Sequence, residues 1–111
     1  DVWPLNPDGE LLAIVMIESR EAINNINEIL SVPGIGGALI GPHDLSLSLG
    51  VGTPESNPGA AEVEEATAVL ARVCASHKVP CGTFHNPDIN ARIAQGFRLF
   101  PGPRTGESRP R

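Results

Sequence analysis

The stretch Gly36-Gly37-Ala38-Leu39-Ile40-Gly41-Pro42-His43-Asp44-Leu45-Ser46 constrains this chain more than any other. Ala38 to Ile40 reads as a short buried strand. Pro42 removes a backbone donor and biases Gly41 away from helix, so the strand ends there. Asp44 is thereby placed just beyond a strand C-terminus, where α/β folds carry their chemistry. A second carboxylate, Glu18, ends an earlier apolar run, Leu11 to Ile17. Two carboxylates at neighbouring strand ends can share one divalent cation. On spacing alone the pair is a weak signal, and the pattern by itself favours a solvated Glu18 at a helix start and an N-capping Asp44.

The flanking pattern decides what kind of sheet this strand joins. Leu11 to Ile17 is apolar on both faces, as in a parallel strand covered on both sides. Ser19 is a candidate N-cap, and Ala22, Ile23, Ile26, Ile29 and Leu30 follow at helical spacing until Pro33-Gly34. Leu45 to Leu49 reads as a short turn of helix and Gly50 to Gly59 as a loop. Asn57-Pro58 resembles an N-cap followed by proline at the first helical position. Val63, Ala66, Val69, Leu70 and Val73 stripe the long helix behind it, which ends near His77. Val79 to Phe84 is a third strand. Asn86-Pro87 repeats the cap signal before a shorter helix with Ile89, Ile93 and Ala94, stopped by Gly96, and Phe97 to Phe100 is a fourth strand.

Asp1 to Glu10, with two prolines and Asp8-Gly9, reads as a loop. The resulting β-α-β-α-β-α-β order predicts a parallel α/β sheet with right-handed crossovers. That is either half of an eight-stranded barrel or a small open sheet. Residues 1–100 form the expected domain. Residues 101–111 hold proline, glycine and arginine without an apolar residue, the composition of a disordered tail.

Charge narrows the partners. Eight basic residues against thirteen acidic ones leave a net charge of −5, which argues against nucleic acid or an anionic membrane surface. No apolar run approaches the roughly 20 residues of a membrane span. Asp1-Val2-Trp3-Pro4 has no basic n-region, so no signal peptide is visible and a cytoplasmic protein is expected. The start at Asp1 without methionine is expected of a chain cut from something longer. Cys74 and Cys81 lack metal-type spacing and are expected to be reduced and partly buried.

Met16-Ile17-Glu18-Ser19-Arg20-Glu21-Ala22, Ile26-Asn27-Glu28-Ile29, Val32-Pro33-Gly34-Ile35 and Ile40-Gly41-Pro42-His43-Asp44-Leu45-Ser46, with Leu49-Gly50 behind, resemble the HpcH/HpaI aldolase family. The resemblance runs from Leu11 to Phe100 and is most specific from Met16 to Gly50. It implies a class II, metal-dependent pyruvate aldolase on a TIM barrel, of which this chain would be the C-terminal half. It implies that Glu18 and Asp44 are the protein's metal ligands for Mg²⁺, Mn²⁺ or Co²⁺. It also implies that Gly41, Pro42 and His43 form the turn holding the carboxylate of a 2-oxo acid. The implied reaction cleaves 4-hydroxy-2-oxo acids to pyruvate and an aldehyde. The family's enolate-stabilising arginine and catalytic histidine belong to the absent half, and Pro101-Gly102-Pro103-Arg104 replaces the family's ending. A fragment inactive by itself is therefore expected, with no catalytic residue assigned within it.

Other residues receive plainer readings. His43 either touches substrate or faces solvent. His85 lines the active face without ligating, and His77 suits a helix C-terminus. Arg20 is a surface or supporting residue. Gly34 to Gly37 follows a helix rather than a strand, which discounts a phosphate loop. Three rival functions stand beside the aldolase: a structural remnant without catalysis, an anion-binding open-sheet module, and a citryl- or malyl-CoA lyase-like enzyme. In a half-barrel the inner faces of Leu11 to Ile17 and Ala38 to Ile40 lack their partner strands. Ile14 and Ile40 are thus expected to be half packed, and the chain to self-associate as a homo-oligomer, pair with a complementary half-barrel or remain partly molten.

Overall fold

The apolar run Leu11–Ile17 forms strand β2 of the computed structural model, which describes residues 2–9 and 11–101. On one side β2 pairs with β1 (Val2–Trp3), and on the other with β3 (Ile35–Ile40). Strand β4 (Cys81–Thr83) pairs beyond β3. All pairings are parallel and the spatial order is β1-β2-β3-β4. Strands that lie in chain order with helical crossovers are the arrangement of a (β/α) barrel, and this sheet is a curled half of one. The β2–β3 register sets Val15 against Ala38, Met16 against Leu39 and Ile17 against Ile40. The C-terminal ends of both strands are therefore level.

Among the described residues five helices complete the order: α1 (Arg20–Asn24), α2 (Ile26–Leu30), α3 (Pro42–Leu49), α4 (Ala61–His77) and α5 (Ile89–Gln95). Ile17, Ala38 and Ile40 from the sheet meet Ile26, Leu30, Leu45, Leu70 and Cys74 from the helices in one core, together with Phe97. Strand side chains alternate between faces, and beyond the register shift at Ala13–Ile14 the face of β2 turned away from the helices carries Ile14 and Met16, both exposed. Ile14 is half open as expected. Ile40 is not: it is fully buried, because its face of β3 meets the helices.

Several local expectations are corrected. Val2–Trp3 is a strand rather than loop, using the parallel edge of β2. The expected single helix after Ser19 is two, broken at Asn25, although Ser19 does cap it by accepting from the Ala22 N–H at 3.1 Å. Helix α3 begins at Pro42, not Leu45, because proline's fixed φ suits the first helical position. Asp44 therefore lies inside the first turn and is not its N-cap. Asn57 does not cap α4, which starts at Ala61; its amide instead closes the preceding loop on the Val51 carbonyl at 3.1 Å. Asp88, not Asn86, caps α5, accepting from the Ala91 N–H at 3.2 Å.

The fourth expected strand, Phe97 to Phe100, reduces to a single parallel bridge between Gly82 and Leu99. The Arg98 and Leu99 N–H groups both donate to the Cys81 carbonyl, which pins the crossing but leaves no ladder. Cys74 and Cys81 are not free thiols but a disulfide tying the last turns of α4 to the start of β4. Their Cα atoms stand 6.3 Å apart, within the bridging range. The expected tail beyond Pro101 lies outside the described residues. No helix among the described residues is long and apolar enough to cross a membrane.

Candidate active site at the strand ends

Two short connections bring the site together. Glu18 follows the last residue of β2 directly, and Gly41 alone separates β3 from the helix that carries Asp44. The Gly41 N–H donates to the Ile17 carbonyl at 3.2 Å, which holds the two strand ends side by side. A Cβ on Gly41 would lie 2.7 Å from Glu18 Oε2 and 3.1 Å from its Cγ and Cδ. Glycine is thus what lets the Glu18 side chain fold across this turn. The Asp44 carboxyl is close enough to hydrogen-bond with that of Glu18. This bond, reinforced by partial desolvation and the negative charge of Asp44, raises the Glu18 pKa above the ordinary carboxylate value. Sequence reasoning placed both carboxylates at adjacent strand ends, and the structure brings them together.

Both residues line a cleft of about 790 Å³ at the C-terminal ends of the strands. Gly41, Pro42 and His43 form one wall, with Pro54 and Glu55 from the loop after α3. Phe84, His85 and Asn86 rise from the end of β4, and Ile89 and Phe100 add apolar surface. His43 Nδ1 stands 3.8 Å from Glu55 Oε2, with both side chains largely exposed. The amides of the glycine–proline turn are fewer than the sequence implies. The Gly41 N–H is already bonded and Pro42 has none, whereas His43 and Asp44 sit where a helix leaves its first N–H groups without intrahelical partners.

Supporting residues fix this arrangement. The Arg20 N–H donates to Ser48 Oγ at 2.9 Å, and Arg20 Nη2 donates to the Leu49 carbonyl at 3.1 Å. That cation closes the C-terminal end of α3, where its charge suits the helix dipole. His77 lies away from the cleft, its Nε2 2.6 Å from Asn27 Oδ1.

One residue escaped the sequence reading. Arg92 is buried, donating through Nε and Nη2 to the His85 carbonyl at 3.1 and 3.0 Å. It also pairs with Glu64 at 3.3 Å and bonds to Gln95 Oε1 at 3.0 Å. It anchors the loop that forms the far wall of the cleft. A lone arginine on a short helix gives no sequence signal for such a role, since it reads as solvated.

The donor set suits a hard divalent cation. Two carboxylates held so close that they raise one pKa repel each other when both are ionised, and a cation relieves that repulsion. Among the described residues no group of three or more His, Cys, Asp or Glu assembles around a common point. Mg²⁺ in particular needs only one or two protein carboxylates, keeping water or substrate oxygens in its remaining positions.

Residues 7–97 match the profile of the HpcH/HpaI aldolase/citrate lyase family. Over 91 residues the chain is 43% identical to a hydroxypyruvate/pyruvate aldolase of Rhizorhabdus wittichii, an overlap of 78% of this chain and 35% of that protein. It is 34% identical over 105 residues to a 4-hydroxy-2-oxo-heptane-1,7-dioate aldolase of Escherichia coli, covering 88% and 39%. An HpcH/HpaI aldolase from Desulfitobacterium hafniense superposes with a TM-score of 0.70 at 26% identity, over 82% of this chain and 35% of that one. A family member from Burkholderia cenocepacia gives 0.71 at 28% identity, with the same coverage. The chain thus spans little more than a third of the length of these curated relatives.

Proposed function

Because this chain belongs to the HpcH/HpaI aldolase/citrate lyase family, we propose that it carries the metal- and pyruvate-binding portion of an aldolase that cleaves 4-hydroxy-2-oxo acids. The observation that carries the reading is the meeting of Glu18 and Asp44 at one cleft. These residues hold the divalent cation, Mg²⁺, Mn²⁺ or Co²⁺, in this proposal. When bound, the cation supplies Lewis-acid stabilisation of the negative charge that develops on the keto oxygen as the carbon–carbon bond breaks.

The chain's own groups do the positioning. Glu18 and Asp44 fix the site at the strand ends, and Gly41 leaves room for the glutamate. The His43 and Asp44 N–H groups at the start of α3 face the 2-oxo acid's carboxylate, helped by the positive end of the helix dipole. Phe84, Ile89 and Phe100 give the remainder of the substrate an apolar wall. No described residue is assigned the proton transfer. General acid–base catalysis typically supplies about 10² to 10⁴ in rate, so retro-aldol turnover by this chain alone is expected to be negligible.

Titration calorimetry of the chain with Mn²⁺, in the presence and absence of pyruvate, tests the proposal. Pyruvate binding that depends on Mn²⁺, and is lost in Asp44→Asn, is the expected result. Pyruvate binding of equal strength without metal would replace it with an anion-binding module. No binding of either would leave a structural remnant.

A further inference from the structure

The cleft has an uneven charge that the metal site does not explain. Among the described residues its ionisable lining groups are Glu18, His43, Asp44, Glu55 and His85, with no lysine or arginine. Once a divalent cation balances Glu18 and Asp44, Glu55 is the remaining carboxylate on the wall. The loop that carries it is tied internally: the Thr53 N–H donates to Ser56 Oγ at 2.9 Å, and the Ser56 N–H returns to Thr53 Oγ1 at 3.1 Å. Asn57 closes the same loop on Val51. These bonds hold Glu55 beside His43, next in sequence to Asp44. A hydrogen bond from its own backbone N–H, and a second from Thr53, lower its pKa, so it is an anion at neutral pH. Phe84, Ile89 and Phe100 line the same cleft and carry no group that pairs with a second anion; His85 and Asn86 stand among them, the Asn86 amide N–H already given to the Thr83 carbonyl.

We propose that Glu55 sets the substrate charge this cleft accepts, disfavouring 2-oxo acids and aldehydes that carry a second carboxylate and favouring those with an uncharged remainder. The inference rests on the aldolase reading, because that reading fixes the first carboxylate and the keto oxygen at the cation. A like charge several ångströms away in screened solvent alters affinity by about two- to five-fold.

The test compares two six-carbon acids that differ only at the far end, 2-oxohexanoate and 2-oxoadipate. Calorimetry uses the full 111-residue chain loaded with Mn²⁺. The expected result is tighter binding of 2-oxohexanoate, a preference erased in Glu55→Gln and reversed in Glu55→Lys. Equal affinities in the native chain, or a preference unchanged in Glu55→Gln, would overturn the role of Glu55 while leaving the aldolase reading intact. Failure of both acids to bind in the presence of Mn²⁺ would overturn the aldolase reading, and the selectivity with it.

Discussion

Replacing Gly41 by alanine separates the metal site from the fold. The backbone there, at φ −94° and ψ 96°, is open to any L-residue, so alanine adds no backbone strain. The added methyl would meet Glu18 Oε2 at 2.7 Å and the Glu18 Cγ and Cδ at 3.1 Å, all atoms of one flexible side chain. Glu18 can yield by leaving its rotamer, at a cost of about 0.5 to 1.5 kcal/mol. Unfolding of the metal-free variant should thus occur at only slightly lower denaturant. The same displacement moves the carboxylate away from Asp44. Disturbing the support of a metal ligand typically lowers affinity about 10- to 100-fold, and a displaced ligand should do at least as much. Urea unfolding without metal and Mn²⁺ calorimetry, run on the same preparation, give the two numbers. Native Mn²⁺ affinity in Gly41→Ala would refute the argument that this glycine exists to seat Glu18.

Two further outcomes follow from the same geometry. Because Asp44 raises the folded-state pKa of Glu18, the stability associated with that shift is complete below the unfolded glutamate value and lost as pH rises through the raised one. Metal-free chain should therefore lose stability just above the ordinary carboxylate range, Asp44→Asn should flatten that slope in urea titrations at several pH values, and Mn²⁺ affinity should fall as pH drops through the same window. Leu70→Ala should cost about 2 to 5 kcal/mol, since Leu70 is fully buried, whereas Ile14→Ala should cost clearly less because Ile14 is 41% exposed; equal shifts in the urea midpoint would contradict this.

Much of this was legible because the sheet is parallel. The unbroken apolar run of β2 and the abrupt stop at Gly41-Pro42 mark strand ends directly, and strand ends are where the carboxylates sit. What was not legible came from contacts between distant or very short segments. Val2–Trp3 has too few residues for any periodicity and owes its pairing to the free edge of β2. The break at Asn25 falls inside a continuous helical pattern of isoleucines. Asn57 and Asn86 each precede proline as a cap would, yet their amides bond to the Val51 and Thr83 carbonyls instead. The Cys74–Cys81 bridge depends on how the end of α4 turns into β4, which spacing alone does not reveal. The Gly41-Pro42 pair ends β3, and the same proline begins α3, a second role that a strand terminator does not signal.

The direct β2–β3 pairing has a consequence for the order in which the molecule comes into being. Glu18, Asp44 and every element between them lie in one stretch of chain that ends before α4 begins. A parallel pairing is not a local contact and forms slowly, but synthesis adds only about 5 to 20 residues per second. The two carboxylates can therefore meet on the nascent chain before β4 and the far wall of the cleft have been made. A cation captured at that moment would act as a folding ligand, drawing the β2–β3 pair toward its native register by mass action.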